Sequence, residues 1–252
     1  MNKEFIRKAL QKPAQIGLQL LRRVTNISNR ANEYCVGSGI EVGALSVPFS
    51  FTRASVKYAD VCGSVDMRKI LAEIPLDNLY SGKLVEPMIL MKPPRYELTD
   101  IHDASVDFVY SSHSLEHSPN PLFTIGDYLR VVRPGGMVYS VIPNKEQTYD
   151  RMRETTPTSK LVKKYQNQIF DYTLAEAIDV TTKTIDHPLY ADSDLAFAQK
   201  ILDENSGIHH FHTFDVRSSL ELIDFCRLEF RCSMVYFCSE GVDLHFCLRK
   251  ND

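Results

Sequence analysis

Two acidic residues lie at the ends of two short apolar segments near the start of the sequence. Glu41 falls in GIEVG, and Asp60 ends SVKYAD. If these segments are neighbouring parallel strands, their carboxyl ends meet at one edge of a sheet, which is where such sheets bind ligands. There Glu41 can attract a cationic group, and Asp60 can accept hydrogen bonds from both hydroxyls of a ribose. The pair favours a nucleoside cofactor that carries a positive charge.

The glycines beside Glu41 are too few for a loop that holds phosphate. Gly37, Gly39 and Gly43 come close to the dinucleotide-binding pattern, but only Gly43 follows the strand that GIEV predicts. The residues after it, from Ala44 to Pro48, supply neither further glycines nor the clean helix start that a pyrophosphate needs. We therefore expect a cofactor without phosphate groups rather than NAD or ATP.

A first group of candidate catalytic residues follows the apolar strand predicted over residues 105–112. His113 and His117 lie four residues apart in HSLEH, so they share one face if the segment is helical. His113 is nearer the end of the strand and is the preferred general base. We interpret His117 as a packing histidine and Glu116 as a capping or bracing residue.

A second group is HHFHTF, in which His210 and His212 point to the same side if the segment is extended. They can act as a general base, as a hydrogen-bonded pair that supports the acceptor, or as metal ligands. Two histidines at this spacing are a weak metal signal without a third ligand. The sequence therefore predicts no metal site.

A third group, NKEQTYDRMR, follows the strand predicted from MVYSVIP. Asp150 can act as a base or orient a histidine. Arg151 or Arg153 can bind a carboxylate or phosphate of the acceptor through two hydrogen bonds. The alternative for all three is a solvated helix start with surface ion pairs.

The elements that must position these residues alternate between strands and helices. Up to residue 143 the pattern is strand, strand, helix, strand, helix, strand, which is typical of a parallel sheet covered on both faces. Residues 144–212 are polar, helix-prone and without a clear strand pattern, so we expect an insert that faces the substrate as a lid. DVRSSLELIDFC then predicts a helix, and the C-terminal segment predicts two strands joined at Ser-Glu-Gly.

The predicted fold class is α/β: a Rossmann-like doubly wound sheet, mostly parallel, with an antiparallel C-terminal hairpin strand and a helical insert. Residues 1–33 are assigned to an N-terminal amphipathic helical arm and residues 34–252 to a single domain. Residues 63–74 predict a helix with Ser64 as its N-cap. PLFTIGDYLRVVR predicts another, which Pro-Gly-Gly at residues 134–136 ends with a turn.

The composition indicates which classes of partner the protein can bind and in which compartment it is expected. The chain has 252 residues and a formal net charge of -3, which argues against a nucleic-acid binder. Its six cysteines form no Cys-x-x-Cys pair, so they predict free thiols in a reducing cytoplasm rather than a zinc ribbon. The N-terminal arm is expected to cover the core, with weak peripheral contact to an anionic membrane as the alternative.

Several stretches together resemble the class I S-adenosylmethionine-dependent methyltransferases, and in particular a bacterial branch associated with the biosynthesis of capsule and O-antigen polysaccharides. The stretches are GIEVGAL, SVKYADV, SVDFVYSSHSLEHSPNP, YLRVVRPGGMVYSVIPNKEQTYDR and IHHFHTF. The resemblance implies S-adenosylmethionine as cofactor and S-adenosylhomocysteine as product. The cofactor contacts that it implies are Glu41, Val42, Gly43 and Ala44 at the methionine end, Asp60 at the ribose, and Ser111, Ser112 and His113 beside the cofactor.

The expected function is transfer of a methyl group to an oxygen of a carbohydrate-type or other small acceptor, in surface-glycan biosynthesis. The carbohydrate part rests on the resemblance alone. One alternative is methylation of a different small metabolite. Another is a non-catalytic module that binds the cofactor, or has lost it, and serves as a partner in a glycan-assembly complex. That alternative predicts no methyl transfer, and changes at His113, Asp150 and His210 would have no effect on activity.

Overall fold

The structure of the protein is a computed structural model that describes residues 30–45, 47–61, 63, 66, 85–185, 190, 195–204 and 209–252. The helix predicted over residues 63–74, with Ser64 as its N-cap, falls outside the described residues apart from two isolated positions. Most of the predicted arm over residues 1–33 also lies outside them. The described end of the arm, residues 30–34, is helical.

The strands that the structure describes form one seven-stranded sheet. They are β1 (Gly37–Val42), β2 (Ala54–Asp60), β3 (Ile89–Leu90), β4 (Val106–Ser112), β5 (Val132–Pro143), β6 (Cys232–Glu240) and β7 (Asp243–Lys250). Their order in the sheet is β3-β2-β1-β4-β5-β7-β6. Strands β1 to β5 pair in parallel, and β7 pairs antiparallel with β5 and with β6. This confirms the predicted fold class.

Strand β1 begins at Gly37 and is therefore longer than GIEV predicts, with Gly37 and Gly39 inside it. Gly39 is required by a close approach, because a Cβ there would lie 2.3 Å from the Phe108 ring on β4. The glycine thus lets an aromatic ring pack over the strand, and it does not contribute to a ligand loop.

Two other boundaries differ from the prediction. Strand β3 is too short to show a pattern in the sequence and was not predicted. Pro-Gly-Gly does not separate α-helix from strand, because β5 begins at Val132 and runs through it. Val132 lies opposite Val106 and Met137 opposite Phe108, so the intervening residues form a bulge, with Gly135 at a φ of 75°.

After the helical residues 30–34, the α-helices in the described residues are α1 (Pro121–Val131), α2 (Thr158–Gln166), α3 (Leu174–Lys183), α4 (Leu195–Glu204) and α5 (Val216–Glu229). Helix α1 begins where the Asn120 side chain accepts a hydrogen bond from the backbone N–H of Phe123. Helix α5 begins with a capping box between Asp215 and Ser218. Each cap satisfies N–H groups that have no partner within the helix.

Helices α1 and α5 pack on one face of the sheet. Their apolar residues join Ile40, Val42 and Val109 in one buried core. The alternate residues of the strands, such as Phe108 and Tyr110, face the other side and pack with the segment that follows residue 30 and with the loop after β1. The period of two in strands explains this division.

The segment between β5 and α5 leaves the sheet and returns to it at one point. Asn144 pairs with Phe214 in a parallel bridge, and the N–H of Lys145 donates to the carbonyl oxygen of Phe214 at 2.8 Å. Helices α2, α3 and α4 lie between these points, and the described part of residues 144–212 holds no strand. Among the described residues, no helix combines the length and apolarity of a transmembrane span.

Candidate functional site

The carboxyl ends of β1, β2 and β4 lie level with one another. Val42 is opposite Ala59 on one side and Ser111 on the other, so Gly43 and Asp60 come next at the same edge. We call this the carboxyl edge. The residues that the sequence assigned to the cofactor are therefore brought together here.

The loop after β1 lies tightly against the loop after β4. Gly43 has a φ of 73°, and a Cβ there would lie 2.6 Å from the Ser114 hydroxyl oxygen. That hydroxyl donates to the carbonyl oxygen of Val42 at 3.3 Å. Ala44 is buried behind the glycine. Glycine is thus required at position 43 both by its left-handed backbone and by the close contact.

Ser111 and Ser112 end β4 at the same edge. Ser111 is buried, and its hydroxyl forms a hydrogen bond of 2.9 Å with the hydroxyl of Ser140 on β5. Ser112 is half-buried, so it is the more accessible of the two to a ligand at the carboxyl edge.

Glu41 is buried, and only one of its two carboxylate oxygens has a hydrogen-bond partner. Oε1 accepts from the backbone N–H of Phe49 at 2.8 Å, whereas Oε2 is buried without a partner. Burial raises the pKa of Glu41 to about 7. A cation beside the carboxylate would offset this cost of burial.

Asp60, at the end of β2, is also a carboxylic acid whose pKa is raised by burial. Its Oδ1 accepts from the backbone N–H of Val61 at 2.7 Å, and burial raises its pKa to about 6. Two acids with raised pKa values at one sheet edge are typical of a binding site rather than of a structural ion pair.

The raised pKa of Glu41 predicts a change of stability with pH. The pKa rises from 4.5 in an unfolded chain to about 7 in the folded protein. Between these values the folded state binds the extra proton, so this group destabilises the folded state as pH rises from about 4.5 to about 7, and the full cost is present above 7. Glu41→Gln keeps an acceptor for the Phe49 N–H and removes the charge. We expect the variant to gain about 3 kcal/mol at pH 8 and to lose that advantage near pH 5.

Thermal or urea unfolding of Glu41→Gln and of the wild type at both pH values, without cofactor, measures this effect. Glu33→Gln is the matched control, because Glu33 is exposed. Equal stability gains at pH 8 and pH 5 would contradict the assignment of the raised pKa to Glu41.

A group of ionisable side chains lies directly beyond β4. We call it the acid–histidine cluster; its members are His113, Glu116, His117, Asp150 and His210. Glu116 is fully buried at its centre. His113 Nδ1 lies 3.4 Å from Glu116 Oε1, and Nε2 of both His117 and His210 lies 3.8 Å from the same oxygen.

Two neighbouring acids favour the protonated form of His113. Burial lowers its pKa, but its contacts with Asp243 and Glu116 outweigh that effect and raise the pKa to about 9. Its Nε2 lies 3.0 Å from Oδ1 of Asp243, at the start of β7. A protonated imidazole has no lone pair with which to accept a proton, and this disfavours His113 as the general base in this state.

Asp150 and His210 form a hydrogen-bonded pair. Nδ1 of His210 lies 2.8 Å from Oδ2 of Asp150, and Oδ1 of Asp150 accepts from Arg153 at 2.9 Å and from Thr184 at 3.3 Å. Burial raises the pKa of Asp150, but the contacts with His210 and Arg153 lower it to about 2. An ionised acid held in this way orients a histidine and does not itself act as a base at neutral pH.

Arg151 and Arg153 differ in their surroundings. Arg151 is exposed. Arg153 is buried and binds Asp150, Asp179 and the backbone carbonyl oxygens of His210 and Phe211. Arg153 therefore holds the His210 segment in place, and the structure does not bring Arg151 into the cluster.

His212 does not share the surroundings of His210. It is fully buried, and neither ring nitrogen has a hydrogen-bond partner. Burial lowers its pKa to about 3, so the ring is neutral. Its backbone N–H donates to the carbonyl oxygen of Glu116 at 3.1 Å, so the main chain at His212 joins this segment to HSLEH.

The sequence did not assign a chemical role to Glu116 or His117, and it did not identify Asp243. The signal that the sequence offered was that HSLEH and HHFHTF are both rich in histidine. Their meeting depends on the return of the insert to β5, which no local pattern shows.

Comparison with known proteins agrees with this arrangement. Residues 59–140 match the profile of the methyltransferase domain family. No curated protein sequence matches the chain at a significant level.

Solved structures resemble the chain at low identity. A SAM-dependent methyltransferase of Methanosarcina mazei is 16% identical, with 85% of this chain and 92% of that chain covered and a TM-score of 0.46. An O-methyltransferase family protein of Burkholderia thailandensis is 12% identical, with 92% and 56% covered and a TM-score of 0.47. A protein of Rhodobacter sphaeroides named as a Zn-dependent alcohol dehydrogenase is 12% identical, with 89% and 90% covered and a TM-score of 0.49.

These solved structures carry different named activities, and none of them assigns an activity to this chain. The profile runs from Ala59, near the end of β2, to Ser140 within β5, so it includes the ends of β2 and β4 at the carboxyl edge. About a third of the chain, residues 59–140, therefore matches the methyltransferase domain family, and the cofactor that this match implies is S-adenosylmethionine.

Proposed function

We propose that the protein transfers the methyl group of S-adenosylmethionine to an oxygen of a carbohydrate-type or other small polar acceptor. The observation that supports this most is the acid–histidine cluster, which lies directly beyond β4 and beside the loop after β1. A site that removes a proton from a hydroxyl needs such groups next to the cofactor.

In this proposal the cofactor lies across the carboxyl edge. Asp60 accepts hydrogen bonds from the ribose hydroxyls, and Glu41, with the backbone of Val42, Gly43 and Ala44, surrounds the methionine end. The unpartnered oxygen of Glu41 supports this, because the ammonium and sulfonium groups are the cations that would satisfy it. Ser111, Ser112 and His113 then lie between the cofactor and the acceptor.

The transfer is an in-line displacement. The acceptor oxygen forms a bond to the methyl carbon while the carbon–sulfur bond breaks, and its electron pair stays on the sulfur of S-adenosylhomocysteine. The hydroxyl proton must leave as the new bond forms. Orientation can account for roughly 7 to 11 kcal/mol of the barrier, and proton removal adds on the order of 10²- to 10⁴-fold in rate.

The insert over residues 144–212 would select the acceptor. It supplies Asp150 and His210 to the cluster, and Tyr149 lies beside them with its hydroxyl 3.2 Å from Nε2 of His210. Charged and hydroxyl-bearing side chains of this kind suit an acceptor with several hydroxyl groups. The polysaccharide context comes from the sequence resemblance and is part of the proposal.

The test uses the purified protein with methyl-labelled S-adenosylmethionine and three sets of acceptors: monosaccharides and nucleotide sugars, small alcohols and phenols, and amines without hydroxyl groups. We expect S-adenosylhomocysteine and a methylated product with a hydroxyl-bearing acceptor. Transfer to amines alone would contradict oxygen as the acceptor atom. Tight cofactor binding without transfer to any set would favour the non-catalytic module.

A further inference from the structure

Three members of the acid–histidine cluster place metal-binding atoms together. One ligand atom each from Glu116, His117 and His210 lies within 4.8 Å of the other two. Oε1 of Glu116 is 3.8 Å from Nε2 of either histidine. Atoms bound to one cation through bonds of about 2.1 Å at tetrahedral angles lie roughly 3.4 Å apart. Small side-chain rotations would therefore bring this set to the spacing of a metal site.

The hydrogen bonds of His117 and His210 use Nδ1 in each ring and leave Nε2 available to bind a cation. Nδ1 of His117 lies 3.0 Å from the carbonyl oxygen of His209, which can only accept, so the proton is on Nδ1. Nδ1 of His210 faces the carboxylate of Asp150 at 2.8 Å. In both rings Nε2 then carries the lone pair, and in both it faces Glu116. Metal-binding histidines are commonly held in this way by a carbonyl or a carboxylate.

The hydroxyl of Tyr149 lies close to the His210 ring and could compete with a cation for its Nε2. Its hydroxyl oxygen is 3.2 Å from Nε2 and 3.5 Å from Nδ1 of His210. An atom that is close to both ring nitrogens lies over the ring and not along the Nε2 lone pair. The direction in which His210 would bind a cation is therefore not taken by this hydroxyl.

Glu116 supplies the negative charge that a cation needs. Its side chain is fully buried, and neither carboxylate oxygen has a hydrogen-bond partner. Nδ1 of His113, at 3.4 Å, lies close but not in hydrogen-bonding geometry. The ion pair with His113 offsets part of the cost of burying this carboxylate, and a bound cation would offset more of it.

The position of the three groups suits a catalytic cation. His113, three residues before Glu116, directly follows β4, and Ser114 contacts Gly43 in the loop after β1. A cation at this cluster would thus lie beside the proposed methyl group. Two nitrogens and one carboxylate leave coordination positions open for oxygens of the acceptor.

We propose that Glu116, His117 and His210 bind one divalent transition-metal cation of the Mn²⁺, Co²⁺ or Zn²⁺ kind. Imidazole ligands favour these cations over Mg²⁺ and Ca²⁺, which prefer oxygen ligands alone. The sequence predicted no metal site, because the only ligand pair that its local pattern offered was His210 with His212. The structure instead combines His210 with two residues of HSLEH.

The role of the cation in catalysis rests on the proposed oxygen transfer, whereas its binding does not. Glu116, His117 and His210 would hold a cation that lowers the pKa of the acceptor hydroxyl, whose proton would leave to solvent water. The oxygen then attacks the methyl carbon as the carbon–sulfur bond breaks. His210 in this account is a ligand, and Asp150 is a positioning residue.

Calorimetric titration of chelator-treated protein with MnCl₂ and, separately, ZnCl₂ tests the proposal without any need for activity. We expect saturable binding at one site, with MgCl₂ binding more weakly. Asp150→Asn should weaken binding roughly 10- to 100-fold, as loss of a group that supports a ligand does. Glu116→Gln and His117→Asn, which remove ligands, should weaken it further. His102→Ala, which removes an exposed histidine outside the cluster, should leave it unchanged.

Correct folding of each variant is checked by its affinity for S-adenosylmethionine and by its melting temperature without metal. Glu116→Gln should melt below the wild-type temperature without metal, because it breaks the ion pair with His113, so unchanged affinity for S-adenosylmethionine is the check that this variant folds. Absence of saturable binding in the wild type would overturn the proposal, and so would wild-type affinity in both Glu116→Gln and His117→Asn.

The same experiment separates this inference from the proposed function. If Mn²⁺ or Zn²⁺ binds at the cluster but no hydroxyl acceptor is methylated, the proposed function fails and the metal site stands. If a hydroxyl acceptor is methylated equally well after chelator treatment and no cation binds, the metal site fails and the proposed function stands.

Discussion

Asp60→Ala lowers the affinity for S-adenosylmethionine about 100-fold, the equivalent of about 3 kcal/mol. The reason is the loss of two hydrogen bonds from the ribose hydroxyls to an ionised carboxylate, which are stronger than bonds between neutral groups. Because burial raises the pKa of Asp60 to about 6, removing this side chain should not destabilise the protein without ligand. The lost affinity would therefore reflect lost contacts and not unfolding.

Calorimetric titration with S-adenosylmethionine and with S-adenosylhomocysteine measures this effect. Both ligands carry the ribose, so Asp60→Ala should weaken them equally. Glu41→Gln should weaken S-adenosylmethionine more, since only that ligand carries the sulfonium charge. Asp224→Ala, at an exposed carboxylate on α5, is the matched control. Wild-type affinity in Asp60→Ala would contradict the proposed placement of the cofactor.

His210→Ala lowers kcat on the order of 10²- to 10⁴-fold and leaves the affinity for S-adenosylmethionine within about twofold. The side chain lies in the acid–histidine cluster and not at the ends of β1 and β2, so its loss affects proton removal and not cofactor binding. The same result is expected whether His210 accepts the proton or binds a cation.

Steady-state kinetics at saturating cofactor, with separate values of kcat and KM for the acceptor, provide the measurement. Asp150→Asn should show a smaller fall in kcat, since it keeps the shape of the residue that orients His210. His102→Ala should behave as the wild type. Unchanged kcat in His210→Ala would exclude the cluster as the site of the reaction.

The positions of Glu41 and Asp60 could be predicted from the sequence. Each follows a short apolar segment, and a parallel sheet brings the carboxyl ends of neighbouring strands to one edge. The antiparallel hairpin was also predictable, because alternating apolar residues flank Ser-Glu-Gly and Gly241 adopts the left-handed conformation that such a turn needs. Local pattern determines these features.

The acid–histidine cluster was not predictable as a unit. His117 and His210 are far apart in the sequence, and they meet because the insert returns to the end of β5 through the Asn144 and Phe214 bridge. This bridge is a tertiary contact between backbone groups, and the pattern of side chains in the sequence does not indicate where such a contact forms.

The expected common direction of His210 and His212 depended on an extended segment. The structure has no regular strand there, and the N–H of Phe211 donates to the carbonyl oxygen of His209 at 3.0 Å. A hydrogen bond between residues two apart makes a tight turn. In such a turn, side chains two residues apart no longer point to the same side, as they would in an extended strand.

The most direct test of the account is a crystal structure of the protein with S-adenosylhomocysteine bound. We expect the ribose hydroxyls within hydrogen-bonding distance of the Asp60 carboxylate, the ammonium group on the Glu41 side of Gly43, and the sulfur directed toward the acid–histidine cluster. A nucleoside bound away from the ends of β1 and β2, or a sulfur directed away from His113 and His210, would contradict it.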